Sequence, residues 1–303
     1  MEDLSSGLGD HCRYSAWRSE NEMTKILTLI LVAFLVSQVG EYAFSQSIHD
    51  LIQKNKIDDA KQLLKSKPEL IKSRDDSQRT ALHIAARFSK PDAVKLLLDA
   101  GAEPNVTAYN KFTPLHVRTT PESAKLLIKH GAKTDAVDAW GNTPLQNAAQ
   151  LGRKKLCETM IISGAKLDLL SAIYLGKRDD VKKMVTENPD VVKEHVGTSS
   201  LWGNNTPLGV AASKGDKELV ALFIENGADV NGGTYRPNVG TYTPICNAVW
   251  GKHHEIVELL LKHGAKTDVA GGKFYDSIVD YAEKNSDDRM KQLLKPKRKK
   301  SAE

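Results

Sequence analysis

The densest cluster of chemistry-bearing side chains is "HHE", His253 to Glu255. Two imidazoles and a carboxylate are ligand types for a transition metal. Their spacing speaks against one. Ligands on a helix stand at i and i+4, and neighbours in sequence point about 100° apart. Glu255 also falls where related stretches carry Asp92 and Glu218, so the three residues are expected as polar surface at a helix start. His130 and His263 each precede a glycine that closes a helix, where partial positive charge complements the dipole. Cys157 stands where a related stretch has Val94 and is expected as a small core residue. Among nucleophile, metal and nucleotide motifs, G-x-S-x-G, H-E-x-x-H and the Walker loop are absent from the sequence. "NGGTYRPNVGTY" from Asn231 is glycine-rich, but no helix start follows its glycines at phosphate-cradling spacing. It reads as an enlarged hairpin finger. No catalytic residue, metal ligand or cofactor is expected.

What positions these residues is a repeated sentence. "TALHIAARFSKPDAVKLLLDAG" opens at Thr80, and relatives of it open at Thr143, Thr206 and Thr243. Each places its closing glycine 21 residues after the Thr, at Gly101, Gly164, Gly227 and Gly264. Thr80 and Thr113 are 33 residues apart, and a fixed period near this length signals a repeat array. The physics of one copy is legible. Thr143 caps a helix, and Pro144 takes the first helical position, where a missing N–H costs little. Leu145, Ala148 and Ala149 share one face. A second helix carries its apolar residues at helical spacing, as at Val94, Leu97 and Leu98, and glycine ends it. Neither helix is long enough to stand alone in water, so neighbours must stack.

"TALHIAA" and "TPLHVR", with the returns "AGAEPN", "NGADVN" and "HGAKTD", resemble the ankyrin repeat family, over roughly residues 47 to 294. The resemblance implies an all-α repeat fold: an ankyrin solenoid of stacked helix-turn-helix units with β-hairpin fingers. The family histidine stands at His83 and His116 and is replaced by Gln146, Gly209 and Cys246. In the family it bridges backbone groups between repeats, so those three junctions are expected to be looser.

Eight units account for the chain after residue 46. "DDAKQLLKSKPELIK" from Asp58 returns as "DDVKKMVTENPDVVK" from Asp179, an offset of 121. Two sub-arrays are therefore expected, residues 46–168 (a capping unit and three repeats) and 169–294 (a degenerate opening repeat, two full repeats and a cap), with a bend or break near 165–175. The N-terminal region has a different grammar. From Met23, Lys25 precedes the apolar run Ile26 to Val36, and Ala43 and Ser45 stand at −3 and −1 to Gln46. Residues 23–45 thus read as a secretory signal peptide, too short for a membrane span, and the mature protein is expected to be exported, periplasmic or secreted. Residues 1–22 are acidic, which opposes signal function. They read as an over-extended start, or as the short cytosolic tail of an uncleaved anchor. The net charge of +5 becomes +8 from residue 46 on, and the tail 295–303, "KPKRKKSAE", holds +4 of it. That run is expected to be a solvated end, with contact to an anionic surface as the alternative.

The aromatic residues indicate the working face. The resemblance implies that partners bind the finger tips and the concave ends of the first helices. Tyr109, Phe112, Trp140, Trp202 and Tyr242 lie within five residues before a repeat opens, and Tyr235 lies in the enlarged finger. Phe88 and Trp250 follow the end of a first helix. These eight are the expected partner-binding residues, since Tyr and Trp anchor interfaces. All three tryptophans after residue 45 are expected to fall outside the helix-packing positions. The expected function is a non-catalytic scaffold for a protein partner that the sequence does not name, with no nucleic acid bound. The alternative is an accessory subunit of an exported enzyme, or a secreted effector acting on a host-cell protein.

Overall fold

The computed structural model describes residues 47–193, 206–236, 240–269 and 276–295. The expectations for the N-terminal extension, the signal peptide, Trp202 and the tail beyond Lys295 lie outside the described residues.

Fifteen helices among these residues fall into successive units. They are α1 Ile48–Gln53 and α2 Ile57–Ser66, α3 Ala81–Arg87 and α4 Pro91–Asp99, then α5 Pro121–Lys129. Next come α6 Pro144–Gln150 and α7 Lys154–Ile162, α8 Leu169–Leu175 and α9 Arg178–Glu187, and α10 Pro207–Lys214 and α11 Lys217–Glu225. The last are α12 Pro244–Trp250 and α13 His254–Lys262, and α14 Ile278–Asn285 and α15 Asp288–Leu294. The Thr–Pro start works as its chemistry requires. Thr143, Thr206 and Thr243 each accept from the backbone N–H three residues on, with Pro at the first helical position. Second helices end on glycines such as Gly101 and Gly164, at φ +87° and +100°, a left-handed conformation glycine takes without strain.

Stacking buries what single helices leave open. First helices pack in one row, α6 on α8, α8 on α10, α10 on α12, and second helices in another, α4 on α5 and α5 on α7. The small residues Ala85, Ala86, Ala148, Ala149, Ala211 and Ala212 are buried in the first row, where they let backbones approach closely. Two hydrophobic clusters result. One runs from Ile48 to Ala165, the other from Leu169 to Leu294, and Leu167 and Tyr174 pack against both. The 121-residue echo has a structural counterpart, since a 3₁₀ turn follows α2 at Pro68–Lys72 and another follows α9 at Pro189–Lys193.

Unit three departs from the pattern. In the other TPLH-type units ten residues separate the opening Thr from the N-cap of the second helix, as from Thr80 to Lys90 and Thr143 to Arg153; here Thr113 to Thr120 is seven. Three residues are nearly one helical turn. The turn from Thr113 to His116 closes, the His116 N–H donating to the Thr113 carbonyl at 2.9 Å, and the Thr119 N–H reaches back to the Val117 carbonyl at 2.6 Å, but no α-helix precedes α5 in this unit. The shortcut buries the Thr119 hydroxyl without a hydrogen-bond partner. The enlarged finger is the hairpin expected of it: β1 Thr234–Arg236 pairs antiparallel with β2 Gly240–Tyr242. The other described fingers are closed by turns instead of strand ladders.

Candidate partner-binding face

The fingers hold their shape through carboxylates, buried at Asp138 and half-buried at Asp75. Asp138 Oδ1 accepts from the N–H groups of Trp140 and Asn142 at 2.9 and 3.0 Å, and Oδ2 accepts from Asn147 Nδ2 at 3.1 Å. Asp75 does the same work two fingers earlier. Its Oδ1 accepts from Ser77 and Arg79 N–H, the Arg79 guanidinium pairs with Oδ2, and these bonds hold the carboxyl below its ordinary range against the cost of burial. Fingers are tied to one another as well: Ala139 N–H donates to Asn110 O at 2.8 Å.

The imidazoles join each finger to the helix behind it. Thr80 N–H donates to His83 Nδ1 at 3.2 Å, which leaves the proton on Nε2 to donate to Phe112 O at 3.0 Å. His116 repeats this with Thr113 and Asn142 O. Burial disfavours the charged ring and takes the His83 pKa down to about 4, and lowers that of His116. Gln146 was expected to leave a looser junction, but it keeps the bridge: Oε1 accepts from Thr143 N–H at 2.9 Å and Nε2 donates to Asp168 at 3.1 Å. An amide has the same acceptor and donor as a neutral imidazole. At the junction of Gly209, Asn247 Nδ2 donates to the Gly209 carbonyl at 3.0 Å.

"HHE" likewise staples the stack. His253 Nε2 lies 3.2 Å from Ser213 O of the preceding unit, His254 Nε2 lies 2.8 Å from Asp287 of the following one, and Glu255 pairs with Lys217 at 2.9 Å. Among the described residues no three His, Cys, Asp or Glu converge on a metal-sized site, and no helix is long and apolar enough to cross a membrane. Cys157 and Cys246 are buried free thiols, and burial pushes both pKa values up, that of Cys157 to about 11.

The expected aromatic residues separate into two groups. Phe88 is 41% exposed and Tyr109 is 60% exposed. Phe112 and Trp140 are half-buried with ring centroids 5.6 Å apart. Trp250 differs from expectation. It packs against the second hydrophobic cluster, edge-on to Tyr242 at 5.1 Å and to Tyr281 at 6.3 Å, because the end of α12 faces α14. It holds the last units together, and Tyr242 is part of that packing. For Tyr235 the backbone alone is described, as the middle of β1.

Around Trp140 lies a cleft of about 490 Å³, between the ends of α3 and α6. Arg87, Val117, Arg118 and Leu151 line it, and none of them was singled out by sequence. The signal was present: Thr113 to Gly131 is 18 residues, against 21 in the other copies.

A family model of three ankyrin repeats matches residues 48–119 and 169–270, more than half of the chain. The chain belongs to the ankyrin repeat family. Such repeats generally mediate protein–protein interaction. The array is 24% identical over 255 residues to the ankyrin repeat domain-containing protein SAT10 of Stachybotrys chartarum, covering 82% of this chain and 11% of that one. It is 30% identical over 198 residues to ankyrin repeat and SOCS box protein 16 of Mus musculus, covering 64% and 38%. The chain thus spans well under half the length of these relatives. The ankyrin repeat domain of human ASB11 aligns at 27% identity, with 71% of this chain and 96% of that one covered and a TM-score of 0.44.

Proposed function

We propose that this ankyrin array is a non-catalytic scaffold, exported by residues 23–45, that holds a partner protein across its fingers and the ends of its first helices. One observation supports the face. Of five exposed large apolar side chains among the described residues, Phe88, Tyr109, Val137 and Leu151 stand on fingers or at first-helix ends of units two to four. Only Ile162 lies elsewhere, at the end of α7. Apolar groups gathered in water mark an interaction surface. The combined variant Phe88→Ala, Tyr109→Ala, Trp140→Ala should lose the partner captured from the source cell's envelope while keeping a near-native melting curve. Retention of the partner by a folded triple variant would overturn this reading. Export has its own test. Mass spectrometry of the native protein should find Gln46 at its N-terminus; peptides from residues 1 to 40 in the exported form would contradict cleavage there.

A further inference from the structure

The cleft beside Trp140 exists because unit three is short. A full first helix there would lie between α3 and α6 as the others do, and its second turn would fill the space beneath Val117 and Arg118. With three residues missing, the ends of the flanking first helices face an unfilled cleft. Phe112, His116, Val117, Trp140 and Leu151 are among the side chains that line it. At about 490 Å³ it falls within the ~300–1,000 Å³ range of clefts that hold ligands.

The charge in the cleft is one-sided. Asp138 is its carboxylate, and three donors already occupy it, from Trp140, Asn142 and Asn147. The His116 ring is neutral and committed on both nitrogens, to Thr113 and to Asn142 O. Arg87 and Arg118 remain, both exposed at the rim, with no hydrogen bond or ion pair to any described residue. Apolar walls beneath two unmatched guanidinium groups complement an apolar side chain that has a carboxylate close by in its own chain.

We propose that this cleft takes a short segment of the partner protein, one bulky apolar side chain seated between Trp140 and Leu151 and an adjacent Asp or Glu paired with Arg87 and Arg118. The inference rests on the scaffold reading and supplies the chemistry of the partner's contact. The apolar residue stands in for the core contacts that the missing turn would have made. The acid gives orientation, since planar guanidinium groups hold carboxylates in fixed geometry.

Random-peptide display against the full chain is the test, with Leu151→Arg protein as the counter-selecting arm. Recovered peptides should share a bulky apolar residue with Asp or Glu a few positions away. A labelled peptide of that consensus should bind about tenfold or more weakly to Arg87→Glu/Arg118→Glu and to Leu151→Arg, as expected for anchor contacts. All three positions are exposed, so melting temperatures should stay near native. The double Glu variant should instead favour a peptide whose acids are replaced by lysine. A basic or uncharged consensus, equal binding in both arms, or no recovered peptide overturns the proposal. Concentration-dependent self-association that Leu151→Arg abolishes also overturns it, by making a second copy the occupant. The two readings are separable: a native partner that leaves the Phe88/Tyr109/Trp140 variant yet stays on Leu151→Arg refutes the cleft and keeps the scaffold, whereas a partner retained by the folded triple variant refutes the scaffold face itself.

Discussion

His83 joins two repeats only while its ring is uncharged, because Nδ1 must accept from Thr80 as Nε2 donates to Phe112 O. Its ordinary pKa of 6.5 falls to about 4 in the folded chain through burial. Between those values the unfolded chain binds a proton that the folded chain does not. Stability is therefore fully present above about pH 6.5 and is lost as pH falls towards 4. At about 1.4 kcal/mol per unit, His83 alone accounts for on the order of 3 kcal/mol, and His116 adds in the same direction. Urea midpoints should thus fall between neutral pH and about pH 4.5. His83→Gln should flatten that limb, since Gln146 already makes the equivalent bridge without a titrating group. An unchanged slope in the variant would remove His83 as the cause. The sequence marked His83, His116 and their three replacements. It did not reveal that Gln146 keeps its bridge, because the partner Asp168 lies 22 positions away and only packing brings it close.

At the scale of single elements, the ends of the first helices are not equivalent. Trp140 leans on Phe112 over an open cleft, whereas Trp250, half-buried as well, packs against Tyr242, Tyr281 and the second cluster. Both follow from "aromatic near a repeat boundary", and sequence position alone could not tell them apart. What separates them is the neighbour: α14 covers the end of α12, while unit three offers no helix to cover Trp140. The helices themselves, their caps and their glycine ends were legible, since each depends on residues within one turn. The cleft was legible only as a spacing of 18 against 21, whose meaning depends on the elements either side. Trp250→Ala should consequently cost stability, roughly 2 kcal/mol or more, through lost aromatic packing and a cavity. Leu97→Ala, fully buried, should cost about 2–5 kcal/mol. Trp140→Ala should cost less than either and show itself in partner affinity. Thermal melts of the three variants decide the order, and a Trp140 variant as unstable as the Leu97 one would make Trp140 structural.

The molecule as a whole has no single centre. Each unit touches the units beside it, and stability in such an array is close to a sum of unit and nearest-neighbour terms. Two hydrophobic clusters, with Leu167 before α8 and Tyr174 near its end packed against both, sharpen that expectation. Unit three weakens the first cluster further, since α3 and α6 have no full first helix between them. A lesion in the first cluster should therefore remain there. In Leu97→Ala, amides of α3, α4 and α5 should lose hydrogen-exchange protection, while those of α10 to α13 should keep theirs to within a small factor. Phe223→Ala, in the fully buried core of the second cluster, should do the reverse. Ile173 on α8 lies close to the junction, so Ile173→Ala should lower protection on both sides. Exchange measured by mass spectrometry on the three variants reads the pattern directly. Uniform loss of protection from Leu97→Ala across all units would mean that the stack unfolds as one cooperative body. The junction at α8 would then couple the clusters more strongly than two shared side chains account for.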